Sequence, residues 1–135
     1  FVDDYGHHPT EVRVTLAAVS GLWKAGRVIV IFQPPRYSRT KRLAKDFGPA
    51  FKGADFVWVM DVYPGGEKPL QGVNSKLILD SLAKAGVKAA AFPGSREAAK
   101  QLKPDDVVLT LGAGDVWKAA EDLLRQLRGQ GVTPI

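Results

Sequence analysis

Both histidines of the 135-residue chain stand together in Asp3-Asp4-Tyr5-Gly6-His7-His8-Pro9-Thr10-Glu11. An acidic pair beside two imidazoles can orient a nucleotide, bind a metal ion or move protons. The same residues also read as a helix entrance, with Asp or His ahead of Pro9 and Glu11 at the positive end of the helix dipole. Adjacent histidines point in different directions and lack the i, i+4 spacing that sets two ligands on one helix face. No metal site is therefore expected from His7 and His8.

A second set is Gln33-Pro34-Pro35-Arg36-Tyr37-Ser38-Arg39-Thr40. Arg36 and Arg39, three residues apart beside a helix start at Ser38, can grip a carboxylate or phosphate through bidentate hydrogen bonds. The alternative is a solvated basic helix start, in which positive charge opposes the dipole; that mismatch favours an anion at this place. Asp61-Val62-Tyr63-Pro64-Gly65-Gly66-Glu67-Lys68-Pro69 is a glycine- and proline-rich loop suited to a lid. Asp61 and Glu67 either act together there or are simply solvated. In Leu111-Gly112-Ala113-Gly114-Asp115-Val116-Trp117, two glycines between a strand and a helix suit either a phosphate-cradling turn or close backbone packing. Trp117 stands where a dinucleotide fingerprint needs its third glycine. The chain has no G-x-x-x-x-G-K-[ST] phosphate loop and no G-x-S-x-G elbow.

Positioning these residues calls for an alternating architecture. Val28–Phe32, Phe56–Met60 and Val107–Leu111 are continuous apolar runs, as expected of strands covered on both faces. Val87–Phe92 is a weaker, alanine-rich candidate, and Phe1-Val2 fits the end of one more strand. Between them, helices are expected from Pro9 to about Trp23, from Ser38 to about Ala50, and from an Asn74 or Ser75 cap to Gly86. Two more follow, from a Ser95 cap to before Pro104 and from Asp115 onward. The fold class is α/β: a three-layer, Rossmann-like domain over residues 1–135, its mostly parallel sheet covered by helices on both faces. Ligands of such sheets bind beyond the carboxyl ends of the strands, where all four constellations fall.

Composition narrows the function classes. With no cysteine, a disulfide scaffold, a thiolate zinc site and a cysteine nucleophile are excluded. No apolar run approaches the roughly 18 residues that span a bilayer, so no membrane partner is expected. A net charge of +5 is spread over several segments, with its densest run from Arg36 to Lys45. It suits anionic small ligands better than nucleic acid, for which no recognition signature is present. The chain lacks an initiator methionine, which suggests that it begins inside a longer protein.

Together the four constellations resemble the carboxy-terminal domain of the Mur ligases, within them the branch that joins L-alanine to UDP-N-acetylmuramate. Residues 3–11 are similar to that branch's D-D-Y-x-H-H-P-x-E, and residues 33–40 to its Q-P-H-R-Y-T-R-T. Residues 61–67 resemble D-V-Y-x-A-G-E, and residues 109–117 L-T-L-G-A-G-D-x-W. The matches run in order across almost the whole chain. Pro35 departs from the pattern, standing where the family usually has histidine. Gly65 replaces alanine and Asn74 replaces aspartate.

The resemblance implies a cytoplasmic ATP-dependent ligase of peptidoglycan synthesis with three domains. One binds the UDP-sugar, a central one carries the ATP-binding loop and most of the Mg²⁺ site, and this one closes over both and is inactive alone. The expected partners are UDP-N-acetylmuramate, L-alanine, ATP and the chain's own amino-terminal and central domains. Asp4 and His7 are expected near ATP, and His8 near the amino acid. Arg36 and Arg39 are expected to hold the alanine carboxylate and the reacting anion. Another Mur ligase with a different amino acid or UDP-muramoyl substrate is the nearest alternative. Two others are a nicotinamide-binding domain on the same type of sheet and a stand-alone anion- or nucleic-acid-binding module.

Overall fold

The computed structural model describes residues 2–4, 8–22, 26–112 and 114–129. Five strands alternate with five helices: β1 (Val2–Asp4), α1 (Pro9–Leu22), β2 (Val28–Gln33), α2 (Tyr37–Ala50), β3 (Phe56–Val59), α3 (Ser75–Lys84), β4 (Ala89–Ala91), α4 (Ser95–Gln101), β5 (Val107–Gly112) and α5 (Val116–Gly129). The strands form one sheet in the order β1-β5-β2-β3-β4, and every neighbouring pair is parallel. The expected α/β architecture is the one observed.

Strand β2 shows why its run is apolar throughout: all six residues are buried. Side chains alternate across a strand, so each face needs its own apolar set. Val28, Val30 and Phe32 join a core with Val12 and Leu16 of α1, Phe47 of α2, and Ile78 and Leu82 of α3. Ile29 and Ile31 join a second core with Ala98 of α4 and Val116, Leu123 and Leu127 of α5. Helices α1, α2 and α3 thus cover one face and α4 and α5 the other, giving three layers. Phe32 lies with ring centroids 5.0 Å from both Phe47 and Phe51, which fixes the end of α2 over the middle of the sheet.

Helix α2 keeps its last turn despite Pro49. A proline there has no N–H to give the carbonyl of Lys45 four residues back. The Ser81 hydroxyl of α3 donates to that carbonyl instead (3.4 Å) and accepts from the Gly48 amide (2.9 Å). One side chain thereby fills the gap that Pro49 leaves and ties α2 to α3.

Local signals are met at some element ends and missed at others: the first strand runs on to Asp4, and α2 and α5 begin at Tyr37 and Val116 in place of Ser38 and Asp115. Asn74 caps α3 as expected, its side-chain oxygen accepting from Lys76 N at 2.9 Å. Ser95, however, does not cap α4: Gly94 occupies the cap and Ser95 is the first helical residue. Its hydroxyl points to the Ala119 carbonyl (3.4 Å), tying α4 to α5. The fourth strand is shorter than its Val87–Phe92 signal, because Val87 turns into the core before pairing with β3 begins at Ala89. No helix among the described residues is long and apolar enough to cross a membrane.

Candidate active site

The order of the sheet creates one crevice. Strands β2 and β5 are neighbours and end in register, Gln33 opposite Gly112. The chain leaves β2 into α2 on one face and leaves β5 into α5 on the other. Such a reversal opens a gap beyond the carboxyl ends of the strands, where open α/β sheets bind ligands. The loops after β2, β3 and β5 all meet there.

Tyr63 of the β3 loop holds them together. Its N–H donates to the Pro34 carbonyl (2.8 Å), and its carbonyl accepts from Arg36 N (2.7 Å), forming a one-residue parallel bridge with Pro35. Its ring lies against Gly114, at a φ of 85°. The two-glycine turn is thus explained by close packing of an aromatic ring on its second glycine. Gln33 adds a tie, its side-chain amide donating to the Asp61 carbonyl at 3.4 Å. Among the described residues, the buried Gln33 Oε1 has no hydrogen-bond partner.

Arg36 has a strained backbone, with φ 44° and ψ 145° at the start of α2. It is the only non-glycine residue with positive φ among the described residues. Such a conformation costs on the order of 1–3 kcal/mol and persists only where its surroundings impose it. Here the Tyr63 carbonyl holds the amide, Thr40 N donates to the Arg36 carbonyl (3.0 Å), and the Thr40 hydroxyl donates to the Pro35 carbonyl (3.2 Å). The side chain of Arg36 is exposed and that of Arg39 half-buried. Neither guanidinium forms a hydrogen bond or a close ion pair among the described residues. Two cations thus stand one helical turn apart at the start of α2, beyond the carboxyl end of β2, without a close ion pair among the described residues.

The expectation that Glu67 is solvated or paired with Asp61 is corrected. Its carboxylate accepts from Ser38 N (3.1 Å) and from the Ser38 hydroxyl (2.5 Å), capping α2 from a distant loop. These hydrogen bonds, from the Ser38 hydroxyl first and then its amide, lower the Glu67 pKa from its ordinary value. The Tyr37 amide and the Arg36 charge act in the same direction. No hydrogen bond or ion pair joins Asp61 to Glu67 among the described residues.

Asp4 is the last residue of β1, its backbone opposite Leu111 of β5, which places it at the same end of the sheet. His7 lies outside the described residues. His8 caps α1: its Nδ1 accepts from Thr10 N (3.1 Å) and its carbonyl from Val12 N (3.0 Å). The helix-entrance reading of this residue is therefore realised, and the ring proton belongs on Nε2 while Nδ1 accepts. The described residues contain no group of three His, Cys, Asp or Glu that could hold a metal ion. Sequence reasoning passed over Tyr63 and Glu67 as organisers, since nothing local shows that a loop tyrosine and glutamate reach α2 and the β5 turn.

Comparison with known proteins agrees with this geometry. Residues 1–114 match the family described as Mur ligase, glutamate ligase domain. The chain is 54% identical over 123 residues to a UDP-N-acetylmuramate–L-alanine ligase of Endomicrobium trichonymphae, covering 91% of this chain and 27% of the relative. It is 45% identical over 133 residues to the enzyme of that name from Geotalea uraniireducens, covering 95% and 29%. A crystal structure of UDP-N-acetylmuramate–alanine ligase from Thermotoga maritima superposes with a TM-score of 0.73 at 28% identity, covering 94% of this chain and 26% of that one. The chain thus spans under a third of the length of these relatives. A parallel sheet in this order, an arginine-bearing loop at its switch point and these matches agree: the chain belongs to the Mur ligase family, as its glutamate ligase domain.

Proposed function

We propose that residues 1–135 form the closing, amino-acid-binding domain of a cytoplasmic ligase that joins L-alanine to UDP-N-acetylmuramate in peptidoglycan precursor synthesis. The proposal assigns UDP-sugar binding and the ATP-binding loop to an amino-terminal and a central domain of the same polypeptide. The observation that carries it is the pair Arg36 and Arg39, two guanidinium groups without a hydrogen bond or close ion pair among the described residues, at the switch point of a domain 54% identical to a ligase of that name.

In this reaction the carboxylate of the UDP-sugar takes a phosphoryl group from ATP and becomes an acyl phosphate. The amine of alanine attacks the acyl carbon, the carbon–oxygen bond to phosphate breaks, and the amine loses a proton as the amide forms. This chain's part is to bind and orient. Arg36 and Arg39 hold the alanine carboxylate and offset the negative charge of the reacting centre, an effect strengthened when a closing domain excludes water. Asp4 and His7 are assigned to ATP binding, and His8 to the amino acid. Magnesium would offset phosphate charge when bound. The described residues hold no group of three His, Cys, Asp or Glu that could bind it, and the proposal places its site in the central domain.

The test is phosphate release by the complete polypeptide given Mg²⁺-ATP, UDP-N-acetylmuramate and L-alanine, each omitted in turn. Release that needs all three is expected, with none from residues 1–135 alone. Release with a different amino acid or a longer UDP-muramoyl substrate, but not with alanine, would move the chain to a sister ligase. Silence with every substrate would overturn the ligase reading.

A further inference from the structure

Arg36 keeps its strained backbone because the β3 loop grips it at three points. The Tyr63 carbonyl accepts from its amide at 2.7 Å. Gly65 lies flat against its side chain: a Cβ there would stand 3.0 Å from Arg36 Cγ and 3.1 Å from Nε. Glu67 takes the Ser38 amide and hydroxyl, two residues further along. The loop around these ties is exposed, from Pro64 through Gly66 and, beyond the last tie, from Lys68 through Gly72. Packing alone does not hold this stretch down, so its position over the arginine depends on its polar anchors. Only one of the three ties is a side chain that selection could change without altering the backbone, and that is Glu67.

We infer that Glu67 is a positioning residue: by capping α2 through Ser38 it fastens the β3 loop along Arg36 and so sets the direction in which the guanidinium meets a carboxylate. The inference rests on the reading of Arg36 as the holder of the amino-acid carboxylate. A negative charge beside an anion-binding arginine otherwise weakens anion binding. Its presence here makes sense because the orientation gained outweighs the attraction lost. Glu67 remains bonded to Ser38 and does not form a close ion pair with Arg36, whose guanidinium makes no hydrogen bond among the described residues. Glutamine at this position can still accept from the Ser38 amide and donate to its hydroxyl, whereas alanine can do neither.

The experiment compares E67A, E67Q and R36A in the complete ligase, reading the KM of each substrate separately together with the melting temperature. E67A should raise the KM for L-alanine roughly tenfold, the worth of one charge-assisted hydrogen bond, with the KM values for ATP and UDP-N-acetylmuramate within about twofold. E67Q should recover most of that loss, because the cap and not the charge is what matters. An E67A enzyme with an unchanged alanine KM would overturn the inference. So would equal rises in all three KM values accompanied by a fall in melting temperature, the signature of a merely structural cap. R36A separates the two levels: if it leaves the alanine KM unchanged, the reading of Arg36 fails. If R36A raises that KM and E67A does not, only the role of Glu67 fails.

Discussion

The ring of Tyr63 occupies the space that a side chain on Gly114 would need. A Cβ at Gly114 would stand 2.5 Å from Tyr63 Cγ and 2.8 Å from Cε1. Through this one contact the β5 turn rests on the same tyrosine that pins Pro34 and Arg36, so the crevice behaves as a single unit.

Gly114→Ala should therefore destabilise the chain by about 2 kcal/mol, from a φ of 85° unsuited to alanine and from overlap with the ring. Adding Tyr63→Ala to Gly114→Ala removes the overlap but not the backbone strain. The double variant should accordingly fall short of the sum of the two single losses in urea denaturation. Strict additivity would show that the ring and the turn are not in conflict.

The strain at Arg36 has a measurable sign. Arg36→Gly relieves a φ of 44° that only glycine adopts freely, and the gain exceeds the entropy that glycine adds to the unfolded chain. The variant should unfold about 1 kcal/mol later than the parent while losing turnover. Arg36→Ala keeps the strain and should lose turnover without gaining stability. Equal stability of the glycine and alanine variants would remove the claim of stored strain.

The fold was legible because β2, β3 and β5 are covered on both faces and so had to be apolar throughout. Gln33, at the end of β2, shows where this rule yields: a polar residue stays buried at the carboxyl end, beside the crevice. Arg36 and Arg39 stand out in the sequence as candidate anion binders because their charge opposes the dipole of the helix they begin. Glu67, Tyr63 and Ser81 were not. Each acts on a partner about 30 or more residues away in the chain (Ser38, Gly114, Gly48), and neither periodicity nor spacing carries that information. Ser95 misled for the opposite reason: it has the residue type of a cap, but its hydroxyl is engaged with Ala119 of α5.

Ser81→Ala tests the weld between α2 and α3. The change removes a partner from the buried Gly48 amide and from the Lys45 carbonyl that Pro49 leaves without its helical donor. Leaving a buried backbone group unsatisfied costs about 1–3 kcal/mol, so a loss of about 2 kcal/mol is expected in urea or thermal unfolding. Alanine is the better helix former by roughly half a kcal/mol, which works against the predicted loss and makes it a demanding test. A neutral substitution would mean that water replaces the hydroxyl.

At the opposite end of the sheet, Asp106 and Arg27 fix how stability depends on acid. The Asp106 side chain is 3% exposed and accepts from Arg27 Nε (2.9 Å) and Nη2 (2.6 Å) and from Lys103 N (2.7 Å). Burial pushes its pKa up, but the Arg27 and Lys103 hydrogen bonds and charges outweigh that, and the net shift is downward. A carboxyl group with a lowered folded pKa contributes stability in full above its unfolded value. That contribution is lost as pH falls from the ordinary carboxylate range through the lowered folded value. Arg27→Ala should cost about 2 kcal/mol at neutral pH, less than for a fully buried pair because the Arg27 side chain is 42% exposed. Once pH has fallen below the lowered Asp106 value, the parent and Arg27→Ala melting temperatures should converge, since a protonated Asp106 no longer needs the guanidinium. A gap between them that stays constant down to that pH would show that Arg27 acts by packing its stem and not by its charge.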